Sequence, residues 1–212
     1  MHVAHSTLDT EYGLPRPLSR TWAPLWTLVL LALWWITYDV ATAAIAGERA
    51  PDLSPGMLRI GVTAGVLFKA LGTAAEAGFY SAWWNLKGVR IPFGTLWVWL
   101  LSLSALDMLA TLVALFAEGA PPVARAAIAV VCGARAITPT EELPARPLAV
   151  VFGSLGALTL ARVAMTGWLQ ARATGRRLAG PLALTGTVWL ALRLAMWWLS
   201  DLARGQSARF SG

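Results

Sequence analysis

The chain has 212 residues, of which 57% are hydrophobic and 13% charged, with a formal net charge of +6. That is too apolar and too charge-poor for an ordinary soluble domain of this size, and one membrane domain uses nearly the whole length. The surplus of base is spread over short loops, which suits anionic lipid headgroups and argues against nucleic acid, whose recognition wants a concentrated basic face.

Residues 1–21 read as a polar arm carrying His2, His5, Asp9, Glu11, Arg16 and Arg20. Five apolar spans are predicted after it, at about 22–46, 56–84, 93–117, 147–169 and 178–200. At about 1.5 Å per residue each can cross a hydrocarbon core of roughly 30 Å. The first is too long for a signal peptide and is expected to stay in place, despite a superficial cleavage pattern at Ala41-Thr42-Ala43. Pro51, Pro55, Gly88, Pro92 and Gly175 punctuate the separators. Residues 122–137 are apolar but short and contain Arg125 and Arg135, about 80° apart on one side of a helix. An amphipathic helix lying at the interface is favoured there over a sixth span. Residues 205–212 read as a C-terminal tail, which leaves 22–204 as one helical membrane domain.

Six charges stand inside these runs: Asp39, Lys69, Glu76, Asp107, Arg162 and Arg193. Each unpaired charge at a helix centre costs about 2.5–3.5 kcal/mol, so six would cost on the order of 15–20. Three acids and three bases can instead neutralise one another inside a bundle. By depth, Glu76 is expected to meet Arg162, and Asp39 or Asp107 to meet Arg193 or Lys69. On the second span Gly61, Gly65, Lys69, Gly72 and Glu76 recur every three or four residues, so one helix face combines small residues with two charges. That face should point into the bundle or at a partner, and helix packing is its plainest use. Gly153 and Gly156 read as a close-packing patch on the fourth span.

Basic residues divide evenly between the two sides, but one set is packed into short loops, which places the N-terminus in the cytoplasm. Trp22, Trp26, Trp83, Trp84, Trp97, Trp99 and Trp168 fall near that side as interfacial anchors, and Trp197 and Trp198 mark the other. Trp34, Trp35 and Trp189 lie deeper and are expected to fill packing space.

Signals for catalysis fail. Glu141-Glu142-Leu143-Pro144-Ala145-Arg146 fits the EExxxR pattern of intramembrane abortive-infection and prenyl-protein proteases. That chemistry needs histidines on later helices, whereas His2 and His5 precede the first span and Pro144 interrupts any helix. No zinc, P-loop or nucleophile-elbow motif occurs. No predicted span holds a histidine for haem, and Cys132 is the single cysteine. No catalytic, cofactor-binding or metal residue is assigned, and no cofactor is expected.

The layout of a cytoplasmic arm and five closely spaced spans, with Gly88-Val89-Arg90-Ile91-Pro92-Phe93-Gly94-Thr95 entering the third and the basic turn Ala173-Thr174-Gly175-Arg176-Arg177 before the last, resembles the Yip family of small multi-pass membrane proteins. That family's usual proline later in the third span is replaced here by Ala105, Leu106 and Asp107. The resemblance implies a helical membrane fold and a non-catalytic role in membrane organisation. The reading is therefore an all-α bundle of five transmembrane helices plus one short interfacial helix, in a bacterial inner membrane. Its expected role is a non-enzymatic scaffold or accessory subunit that contacts lipids and other integral membrane proteins. The alternative is a small transporter or channel using Lys69, Glu76, Asp107 and Arg193 as a charged path.

Overall fold

The computed structural model describes residues 22–49, 54–117, 120–134 and 151–210. Among these every long element is a helix: α1 (Trp22–Arg49), α2 (Pro55–Leu86), α3 (Phe93–Leu103), α4 (Ala105–Leu115), α5 (Pro122–Cys132), α6 (Ala157–Thr174) and α7 (Ala179–Phe210). Three stretches are long and apolar enough to cross a membrane: Pro24–Ala43, Gly56–Leu86 and Phe93–Leu115. Within α7, Ala179–Ala195 is apolar but shorter.

Local chemistry sets several of these ends. The Ser54 hydroxyl accepts the Met57 N–H at 3.3 Å, and Pro55 occupies the first turn of α2, where its missing N–H would have had no partner. Gly175 closes α6 at φ +64°, which lets the Arg176 N–H return to the Ala171 carbonyl at 3.2 Å. α2 packs on α1 and α3, α4 on α1, and α6 on α7, α4 and α3, while α5 bridges α4 and α6. One apolar cluster joins Ala77, Tyr80, Trp84, Ile91, Leu96, Leu100 and Ala173 at the α2–α3 turn. A second joins Leu30, Trp34, Leu101 and Met108 between α1 and the α3–α4 region. At Gly167 the backbone of α7 comes so near that a Cβ would stand 2.9 Å from the Leu182 Cα.

Among the described residues three of the five predicted spans reach that length and hydropathy, while α6 does not and α7 does so only over a shorter stretch. The helices also differ from the sequence reading in three ways. The third span is interrupted at Ser104. Its hydroxyl donates to the Leu101 carbonyl at 2.6 Å and accepts the Trp34 indole N–H at 2.8 Å, while the Asp107 N–H closes on the Ser104 carbonyl at 2.9 Å. The serine thus competes for backbone groups and restarts the helix. The helix at the predicted fourth span begins at Ala157, after a helical turn at 151–153 and a break at 154–156. The reason is steric: a Cβ at Gly156 would collide with Gly133 and stand 2.6 Å from the Val131 carbonyl oxygen, so the end of α5 crosses this segment backbone to backbone. The helix at the predicted fifth continues to Phe210, through most of the expected tail. The N-terminal arm with His2 and His5, the 135–137 end of the α5 segment, the start of the fourth span at 147–150 and the Glu141–Arg146 pattern lie outside the described residues.

Candidate functional site

Four of the six charges meet at one point. Lys69 and Glu76 project from α2, Asp107 from α4 and Arg162 from α6. Arg162 is the hub: one guanidinium nitrogen donates to Asp107 Oδ2 at 2.7 Å and the other to Glu76 Oε2 at 3.0 Å. Lys69 Nζ donates to the same Asp107 oxygen at 2.5 Å. Lys69 and Glu76 are two turns apart on one face, about 10 Å along the axis, and the long Arg162 side chain bridges from Glu76 to Asp107. Two acids and two bases sum to zero, and each side chain is largely covered, from 10% exposed at Glu76 to 23% at Asp107.

The surroundings reinforce this balance. Asp107 lies in the first turn of α4, the helix end at which a negative charge is favoured. Lys69 Nζ sits 4.8 Å from the centre of a Trp34 ring, a cation–π contact. The Tyr80 hydroxyl donates to Glu76 Oε1 at 3.3 Å. Arg193 lies 5.7 Å over the Trp189 ring, and its field also reaches Asp107. Charges held this way are costly to strip of a partner but add little over an apolar core of equal volume.

Asp39 does not join the cluster. Leu30, Trp34, Thr37 and Ala41 form the buried face of α1, and Asp39 lies on its exposed side, with no ion-pair partner among the described residues. The glycine stripe of α2 is also turned outward. Its buried residues, Val62, Thr73, Ala77, Tyr80 and Trp84, centre about 100° around the helix from Gly61 and Gly72. A Cβ at Gly61 or Gly72 meets nothing, whereas Gly65 faces the Tyr38 ring at 3.6 Å. Gly153 and Gly156 do lie at a close approach, against the end of α5: a Cβ at Gly133 would stand 2.6 Å from the Gly153 carbonyl oxygen.

The tryptophans divide. Trp26, Trp83, Trp168 and Trp198 are exposed, and Lys87 and Arg172 rest on Trp83 and Trp168. Trp97 stacks on Phe93 and donates to Thr73 Oγ1 at 3.3 Å. Trp99 and Trp197 are half-buried, and their indole N–H groups have no partner among the described residues. The backbone of Trp22 opens α1. Trp84, expected as an interfacial anchor, is 3% exposed because its indole turns inward, and Trp35, expected as packing, is exposed.

A second polar centre escaped the sequence reading. Trp84 Nε1 donates to Gln170 Oε1 at 2.8 Å, Gln170 Nε2 donates to Thr185 Oγ1 at 3.1 Å, and Thr185 donates to the Pro181 carbonyl at 2.9 Å. Gln170 is fully buried. Its position one residue beyond the predicted end of the fourth span, next to Arg172, made it look like a boundary residue. No cluster of histidine, cysteine or acid able to hold a metal occurs among the described residues. Burial pushes the Cys132 thiol up, which keeps it a poor nucleophile. No family model, no curated protein and no solved structure matches the chain.

Proposed function

We propose that this chain is a non-enzymatic membrane scaffold, an accessory subunit of a larger membrane assembly. In this reading it crosses a bacterial inner membrane five times, through α1, α2, α3 with α4, α6 and α7, with the N-terminus in the cytoplasm and α5 at the interface. The observation that carries it is the pairing of Lys69, Glu76, Asp107 and Arg162 with one another. Groups that satisfy each other hold α2, α4 and α6 together and have little left for a solute. The outer face of α2 complements this: Ile60, Phe68 and Leu71 are each at least 65% exposed, and lipid or a partner helix can cover them. The resemblance of the predicted layout to the Yip family agrees with the same non-catalytic role. Purification in mild detergent tests it. A stoichiometric complex with another integral membrane protein is expected, and a clean monomer that moves solute across vesicles overturns it.

One observation favours the second reading, a small transporter. The α3–α4 span is broken three residues before Asp107, and transporters place binding sites at such breaks. In that case Asp107→Asn abolishes solute movement while the protein stays folded.

A further inference from the structure

The α2–α3 turn and the α6–α7 turn lie at one end of the bundle, where Ala173 packs with Trp84 and Ile91. Between them, residues 87–92 and 172–178 carry Lys87, Arg90, Arg172, Arg176 and Arg177 and no acid. Three of these cations rest on indole rings: Lys87 on Trp83 at 5.4 Å, Arg172 on Trp168 at 5.5 Å and Arg176 on Trp84 at 5.5 Å. Arg90 is different. Like Arg177 it is exposed and has neither an acidic nor an aromatic partner among the described residues, but it alone of the five lines a hollow.

Arg90 lines an open depression of about 650 Å³, together with Ser81, Asn85, Ile91, Pro92 and Phe93. The wall is braced, because the Ser81 hydroxyl donates to the Ile91 carbonyl at 2.9 Å and ties α2 to the turn. One rim therefore offers a guanidinium fork and an exposed amide, the donors that suit phosphate oxygens. The other side is apolar. Phe93 is 44% exposed and stacks on Trp97 one turn further along α3, so an aromatic track leads from the depression along the helix.

We propose that this depression binds the headgroup phosphate of an anionic phospholipid, with Arg90 and Asn85 as the phosphate donors and the acyl chains running along Phe93 and Trp97. The aromatic track selects a lipid over a free phosphate, and the five cations without an acid select an anionic lipid over a zwitterionic one. The inference rests on the membrane-crossing arrangement proposed above.

Native mass spectrometry of the full chain tests it, after release from detergent micelles holding equal parts phosphatidylglycerol and phosphatidylcholine. Phosphatidylglycerol is expected to be retained preferentially. Arg90→Gln is expected to lower that retention about fivefold, the worth of one basic residue near an anionic surface. Arg59→Gln, at the other end of α2, is expected to leave it unchanged, as is millimolar inorganic phosphate. Equal retention of the two lipids, equal losses in both variants, or displacement by inorganic phosphate would each overturn the proposal. Alkaline extraction of membranes separates the two failures: a chain that resists extraction yet shows no lipid preference loses this site while keeping its place in the membrane.

Discussion

Two polar centres in this bundle solve the same problem with different chemistry. The ionic one joins α2, α4 and α6 through Lys69, Glu76, Asp107 and Arg162, and its members keep between 10% and 23% of their side-chain surface. The neutral one joins α2, α6 and α7 through Trp84, Gln170 and Thr185, and Gln170 keeps none. Tyr80 stands between them: it donates to Glu76 on one side and lies beside Thr185 on the other. An amide needs only local partners and can be buried completely. Full charges need partners and overall neutrality, and they retain some contact with their surroundings because their desolvation is much dearer.

The largest expected effect comes from removing the hub. Arg162→Met leaves Glu76 without its cation and should cost about 3–5 kcal/mol, read as a fall in melting temperature and in the monodisperse fraction in detergent. Replacing all four charges at once, Lys69→Met, Glu76→Leu, Asp107→Leu and Arg162→Met, should recover most of that loss, since no ion is then stranded. If the fourfold variant melts as low as Arg162→Met, the ionic centre does more than neutralise itself. Exchanging Glu76 and Arg162 should restore little, because the new acid at 162 faces Asp107, which shares the hub at 2.7 Å. Gln170→Leu should cost about 1 kcal/mol, within the range measured for hydrogen bonds between membrane helices. A cost as large as that of Arg162→Met would erase the distinction between the two centres. The smallest change is expected at Gly72→Ala, on the open face of α2, with a gain of up to about 0.5–1 kcal/mol from helix preference alone.

The helices and the four charges are legible in the sequence because both follow from transfer costs: long apolar runs form helices, and charges inside them demand company. Where each face points is less legible. The Gly61–Gly72 stripe has the right period, but packing turned α2 by about one residue's rotation, so Val62 and Thr73 face inward instead. Ser104 is invisible as a break, since a serine in a leucine-rich run also suits an unbroken helix. Its effect depends on Trp34, 70 residues earlier. Gln170 is hidden for a related reason: a neutral amide near an arginine fits a span boundary as well as it fits a buried bond.

The position of Arg162 in the chain has a consequence for biosynthesis. Lys69, Glu76 and Asp107 all leave the ribosome first, and Arg162 follows Asp107 by 55 residues. Until it arrives, the three earlier groups carry one uncompensated negative charge, worth about 2.5–3.5 kcal/mol against partition into lipid. Nascent chains arrested before α6 should therefore linger at the insertion machinery, and release should come only once the arginine has been translated.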